Sequence, residues 1–213
     1  MGVAAVRNST RDALLEAGRA IVLTDGFANL TVRKVAATAR ANLGSFVYHF
    51  GTRDAYVREL IESWYAPVMS RVARAIEGDA KPVERLRHAI LQLIEFGSAQ
   101  EEFVSRVLVA AVSGDPPARA FLRSLAGRHP RLVLRLIREA QADGSLVSAH
   151  PIQILLFIFS SVGLPRLLAG AWQGDPVFGK RLSAALIRMA RDRDGTVQRL
   201  DWALRGLACG VTR

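Results

Sequence analysis

Apolar positions along the chain recur every three to four residues, and no stretch alternates with the period of two that a strand requires, so the pattern is all-α. The first stripe is Leu14, Ala17 and Ile21, behind a Ser9-Thr10-Arg11-Asp12 stretch with the form of a capping box. Gly26, after Asp25, supplies its stop. Val32, Val35, Ala36 and Ala39 give a second, short helix, for which Thr31 is the N-cap. Asn42 is placed to cap a third, whose core face is Phe46 and Phe50, while Phe27 and Leu30 fill the space behind. From Arg53 one long helix carries Tyr56, Val57, Leu60, Ile61, Trp64, Val68, Val72 and Ile76, with a bend expected near Ser63–Pro67 because proline removes a backbone donor. After the break at residues 78–82, helices are expected at about 82–98, 101–113, 117–127, 130–142, 150–173, 176–192 and 196–208. Asp115-Pro116-Pro117 and Asp175-Pro176 mark starts, Asp143-Gly144 a stop, and Asp194-Gly195-Thr196 the last separation.

The small side chains of Ala36 and Ala39 let the second and third helices cross closely, as a helix-turn-helix needs, and they leave Leu43, Gly44, Ser45, Val47, Tyr48 and His49 outward on a helix small enough to enter a DNA groove. Four pieces in order carry a resemblance: Gly26-Phe27, the run from Thr31 to Ala36, the run from Gly44 to Phe50, and Thr52-Arg53-Asp54. Through them Ser9 to roughly Leu60 resembles the N-terminal domain of the TetR family of bacterial transcriptional repressors; beyond it the likeness is an all-helical pattern of fitting length. The resemblance implies a helix-turn-helix DNA-binding domain over 1–54 and an effector-binding and dimerisation domain over 55–213. It implies phosphate contacts from Thr31, Arg33 and Lys34 at a helix start, where hydroxyl, N–H groups and cations suit an anion. Ser45, His49 and Arg53 match family positions that touch the DNA backbone, and Leu43, Gly44 and Tyr48 match positions facing base edges. Gly44 has no side chain to hold the helix off the groove, and Leu43 suits a thymine methyl. Three residues depart from the family pattern: Val47 where tyrosine is common, Leu43 where a polar or basic residue is frequent, and Arg40 at a turn position where glycine is common. A positive φ at Arg40 would cost about 1 kcal/mol.

Charge supports a polyanionic partner without locating its site. The formal net charge is +10, but residues 1–60 hold eight Lys/Arg against five Asp/Glu, so most of the excess lies outside the DNA unit. The single cysteine, Cys209, excludes an internal disulfide framework and a Cys-rich zinc site. The N-terminal residues lack an apolar run of the secretory kind, so a cytoplasmic protein is expected. Ile152 to Leu164 is uncharged, yet Arg166 closes it short of the ~20 residues a bilayer span needs, so no membrane insertion is expected.

In the larger part, Trp64, Phe96, Phe103, Leu108, Phe121, Phe157 and Ser161 are candidates to line an effector cavity, which would favour a hydrophobic effector. Each reads more readily as ordinary helix packing than as a ligand contact, because helical stripes of Phe and Leu are usually packing. The helices at about 150–173 and 176–208 are the expected homodimer surface, the first being apolar around nearly its whole circumference and bent at Pro165. A two-fold pair would place two recognition helices roughly 34–36 Å apart and read a pseudo-palindromic double-stranded operator.

No catalytic residue, metal ligand set or cofactor motif is expected. His49, His88, His129 and His150 lack metal-site spacing, and Glu101-Glu102 reads as a helix start favourable to the dipole. The reading from another class is a helical small-molecule or lipid-binding protein with a degenerate DNA-binding unit, motivated by Leu43 and Val47.

Overall fold

The computed structural model describes residues 2–171 and 179–209, and the expected helix start at Asp175-Pro176 lies outside them. Among the described residues the chain is helical throughout, with one isolated β-bridge between Leu146 and Ala208. The helices are α1 (Gly2–Asp25), α2 (Val32–Thr38), α3 (Leu43–Phe50), α4 (Arg53–Ala75), α5 (Pro82–Ala99), α6 (Glu101–Val112), α7 (Pro116–Leu125), α8 (His129–Ala142), α9 (Pro151–Val162), α10 (Leu164–Ala171), α11 (Lys180–Arg191) and α12 (Arg193–Gly206). A 3-10 turn, Phe27–Asn29, joins α1 to α2.

Three boundaries differ from the sequence reading. Ser9 is not a helix start: α1 begins at Gly2, because Val3-Ala4-Ala5-Val6 contains no stop and alanine propagates a helix readily. The apolar stretch from Pro151 is two helices rather than one bent one. It breaks at Gly163, where Pro165 removes the N–H that would bond the Ser161 carbonyl. The last separation falls at Asp192, whose carboxylate accepts from Gly195 N–H at 2.7 Å and so caps α12. Asp194 and Gly195 lie in the first turn of that helix. By contrast α4 runs unbroken through Pro67.

Packing divides the chain into two compact units, one of residues 1–67 and 102–125, the other of 68–101 and 126–213. In the first, α1, α2 and α3 pack on one another, and α6 and α7 contribute the aromatic residues Phe103 and Phe121. Its core includes Leu14, Val22, Phe27, Leu30, Val35, Phe46, Tyr56 and Ile61, all buried. Burying such side chains is worth roughly 1.5–3 kcal/mol each against leaving them in water. The second unit is built on α5 against α8, α8 against α9, and α9 against α10 and α12, around Leu86, Leu136, Ile137, Ile154 and Leu200. Arg87 pairs with Asp201 at 2.7 Å and Arg85 with Glu139 at 2.8 Å within it.

Candidate nucleic-acid interface

The helix-turn-helix is built by two side-chain caps. Thr31 Oγ1 accepts from Lys34 N–H at 3.2 Å and starts α2; Asn42 Oδ1 accepts from Ser45 N–H at 2.7 Å and starts α3. Between them the chain turns through Arg40 at φ 52, the left-handed conformation that glycine adopts without penalty. The turn is closed by Ala41 N–H donating to the Ala36 carbonyl at 2.9 Å. Buried Ala36 leaves room for the crossing.

On α3 the inner face is Phe46 and Phe50, whose rings meet Tyr56 at centroid distances of 5.0 and 4.8 Å. Tyr56 in turn donates its hydroxyl hydrogen to the Leu14 carbonyl at 2.6 Å, tying α4 to α1, and burial pushes its ionisation upward. Gly18 makes this possible, since a Cβ there would overlap the Tyr56 hydroxyl. The outer face is Leu43, Gly44, Val47 and Tyr48, with Leu43 47% and Tyr48 62% exposed. Residues at i, i+1, i+4 and i+5 share one side of a helix, so these four form a single ridge that a major groove can admit.

The expected backbone-contacting residues flank the ridge unevenly. Thr31 and Arg33 are exposed at the start of α2. Lys34 is exposed too, with Nζ 2.6 Å from Asp25 Oδ2; that hydrogen bond holds the Asp25 carboxyl below its ordinary range. Because the pair is in solvent, Lys34 is easily released to a phosphate. Ser45 is half-buried with its N–H given to the cap, and His49 stands edge-on to Tyr48 at 5.1 Å in the last turn of α3. Arg53 is different. Its Nε donates to the Leu30 carbonyl and its Nη2 to the Phe27 carbonyl, both at 2.9 Å, and Asp115 Oδ2 accepts from Nη1 at 3.2 Å. Asp115 is read from the sequence only as a helix start, not as a partner of Arg53, and the sequence reading does not single out Gly18 or Arg106, whose Nη2 donates to the Leu23 carbonyl at 3.0 Å. A lone glycine inside the α1 stripe is a usable signal for Gly18; the Asp-Pro-Pro pattern marks Asp115 as a helix start, but nothing local ties it to Arg53 or points to Arg106.

The seven effector candidates do not line one cavity. In the first unit Trp64 meets Phe103 at 5.0 Å and Phe121 at 6.4 Å; Trp64 and Phe103, but not Phe121, line a cavity of about 200 Å³ together with Asp12, Glu16, Arg19 and Ser63. Leu108 is half-buried on α6, outside that lining. In the second unit Phe96 is half-buried on α5. Phe157 is exposed, and the Ser161 hydroxyl donates to the Phe157 carbonyl at 2.8 Å, so that donor serves its own helix. A separate cavity of about 250 Å³ between α10 and α11 is lined by Leu164, Leu168, Leu186 and Ile187. Both are smaller than the ~300–1,000 Å³ of ordinary small-molecule pockets. Among the described residues no helix is long and apolar enough to cross a membrane, and no cluster of three His, Cys, Asp or Glu could hold a metal ion.

Phe157 belongs instead to a broad apolar surface. Ile152, Leu156 and Phe159 of α9, Leu164 and Leu167 of α10, and Leu182, Leu186 and Met189 of α11 are all exposed. Trp202 of α12 is exposed as well.

No family model matches the chain. It is 23% identical over 141 residues to the HTH-type transcriptional repressor DhaR of a Mycobacterium species, a match covering 66% of this chain and 71% of that one. To the HTH-type transcriptional repressor KstR2 of Mycobacterium tuberculosis it is 31% identical over 93 residues, a match spanning 44% of this chain and less than half, 46%, of the relative. Among solved structures, a TetR-family regulator from a Rhodococcus species superposes with a TM-score of 0.70 at 17% identity, covering 93% of this chain and 98% of that one. The structure of the M. tuberculosis ketosteroid transcriptional regulator KstR2 gives a TM-score of 0.63 at 18% identity, covering 94% and 95%.

Proposed function

We propose that this chain, TetR-like in fold over nearly its whole length and similar in sequence to helix-turn-helix repressors, is a dimeric transcriptional repressor released from its operator by a small effector. One observation carries the reading: α3 turns Phe46 and Phe50 into the core and holds Leu43, Gly44, Val47 and Tyr48 out as a ridge beside a capped helix start. Residues 1–54 bind DNA. Leu43, Gly44 and Tyr48 face base edges, with Thr31, Arg33, Lys34, Ser45 and His49 on the phosphates. Residues 55–213 bind the effector and form the homodimer, through the apolar surface of α9, α10 and α11. Two copies related by a two-fold axis read a pseudo-palindromic site with half-sites about 34–36 Å apart. The protein works where its operator is, in the cytoplasm.

The effector is hydrophobic in this reading, to suit Leu15, Leu60, Trp64 and Phe103 of the first cavity, and Asp12, Glu16 and Arg19 at the same cavity call for a polar group on it as well. An effector seated at either of the small cavities would have to enlarge it, and release follows if the enlarged form holds the two recognition helices at the wrong spacing. An effector of equal affinity for both forms would shift nothing.

The test is selection of bound duplexes from a random pool, followed by sequencing. Enrichment of a two-fold-symmetric site is the expected result. Failure to enrich any sequence, with no salt-dependent duplex binding, would overturn it in favour of a helical small-molecule or lipid-binding protein, since phosphate contacts necessarily make affinity fall with salt.

A further inference from the structure

Arg53 stands at the first position of α4, where the resemblance implies a phosphate contact, yet its guanidinium is largely committed inside the first compact unit. Nε and Nη2 reach the Leu30 and Phe27 carbonyls, which belong to the turn that leads directly into Thr31 and α2. Nη1 and Nη2 also reach Asp115 Oδ2, at 3.2 and 3.3 Å, and Nη1 lies 3.5 Å from Asp54 Oδ1. The other oxygen of Asp115, Oδ1, accepts from Ala118 N–H at 3.0 Å and caps α7. One carboxylate therefore bonds the start of α7 through one oxygen and the start of α4 through the other. A guanidinium has five N–H groups in a fixed fork, so turning Arg53 toward DNA would take one donor from each of two carbonyls and two from Oδ2 of a mostly buried carboxylate. It would leave the Phe27 carbonyl only the Leu30 N–H and the Asp115 carboxylate only the Ala118 N–H.

We propose that Arg53 is a positioning residue rather than a phosphate ligand, and that Asp115 acts through it to fix the pose of α2 and α3 for DNA. This rests on the DNA-binding reading above. The neighbouring contacts agree: Arg106 of α6 donates to the last turn of α1, and Phe103 of α6 packs edge-on against Phe27 at 6.1 Å. Thus α6 touches the end of α1 and the turn after it directly, the start of α7 reaches that turn through Arg53, and a shift of the α7 start is passed to the reading helices through Asp115.

The substitutions that test this separate charge from geometry. Asp115→Asn keeps a good helix cap while removing the charge that faces Arg53. Arg53→Lys keeps a cation that can still meet a phosphate but cannot bridge two carbonyls and a carboxylate. Affinity of the full chain for its selected duplex is measured across a salt series, and amide exchange is followed at residues 27–31. Both variants are expected to weaken binding about tenfold, within the 5–150-fold typical of coupled sites, with an unchanged salt slope and faster exchange. The double variant should be no worse than either alone. A near-native Arg53→Lys together with an Arg53→Gln whose slope falls by about 0.9 would make Arg53 a phosphate ligand and overturn the proposal. So would tighter binding by Asp115→Asn. If the unaltered chain binds no duplex, the DNA reading fails by itself, and exchange still decides the tie: unchanged protection at 27–31 in Asp115→Asn or Arg53→Lys rejects it.

Discussion

Of the regions that expose large apolar side chains, α3 and the run from α9 to α11 differ in extent and in what surrounds them. On α3 the exposed residues are Leu43, Val47 and Tyr48, one ridge on an eight-residue helix, bordered by Thr31, Arg33 and Lys34. On α9, α10 and α11 at least eight exposed apolar residues spread over three helices, beginning at Ile152 and ending at Met189. A narrow ridge with cations beside it matches a groove whose walls are phosphate and whose floor carries methyl groups. A wide surface is of the kind that marks a protein–protein contact, because monomers rarely leave so much apolar area in water. Exposed leucine alone says neither; the neighbours decide.

The contrast can be broken at its strongest point first. Phe157→Asp should abolish pairing, since two-fold symmetry would bury two carboxylates at once, at a cost of at least about 4 kcal/mol. Sedimentation should show monomers, and operator affinity should fall by more than a hundredfold while α3 is untouched. A dimer of normal strength would remove the pairing role from this surface.

Acid should weaken the unit that bears the pairing surface. Burial, with Arg128 adding repulsion, lowers the pKa of His129 at the start of α8 to about 4, from about 6.5 when unfolded. Between those values the unfolded chain binds the extra proton, so stability is complete above about pH 6.5 and declines as pH falls toward 4. The loss is about 3 kcal/mol at most, and below pH 4 this group adds no further slope. Urea unfolding at pH 7 and pH 4.5 should show the difference, and His129→Gln should reduce it. Since α8 packs on α9, dimer strength should decline over the same window.

Tyr48→Ala sharpens the other side of the comparison. Removing a base-edge contact should cost about 1–3 kcal/mol on the selected duplex and leave affinity for unrelated DNA unchanged. Equal losses on both would make Tyr48 a general contact. The smallest effect is expected at Arg40→Gly, which relieves the left-handed strain and should raise stability by about 1 kcal/mol or less in a thermal melt.

What the sequence made legible follows the range of each interaction. Thr31 and Asn42 were readable as caps because each bonds an N–H three residues on. Phe46 and Phe50 were readable as core by their spacing, and both are buried. The start of α1 was not readable, because nothing before Ser9 forbids a helix. At the end of α11, Asp192 and Asp194 are both plausible caps two residues apart, and only the fold chooses. The tie between Arg53 and Asp115 spans 62 residues, so no local pattern announces it. The effector candidates were drawn from apolar stripes, whereas the cavity beside Trp64 and Phe103 takes Asp12, Glu16 and Arg19 from the polar edge of α1. Periodicity finds which way a side chain faces; it does not find where packing fails to close.

The seat of Tyr56 against Gly18 has a consequence for how such a chain can change. A methyl group at position 18 would lie within 2.7 Å of the ring carbon that carries the hydroxyl, so trimming the hydroxyl alone, as in Tyr56→Phe, would not make room for alanine. Position 18 therefore cannot gain a side chain unless the ring at position 56 gives way. Anyone transplanting this reading head onto another regulator must carry both residues across the junction, although they lie on different helices and only the second belongs to the segment that follows the reading helix.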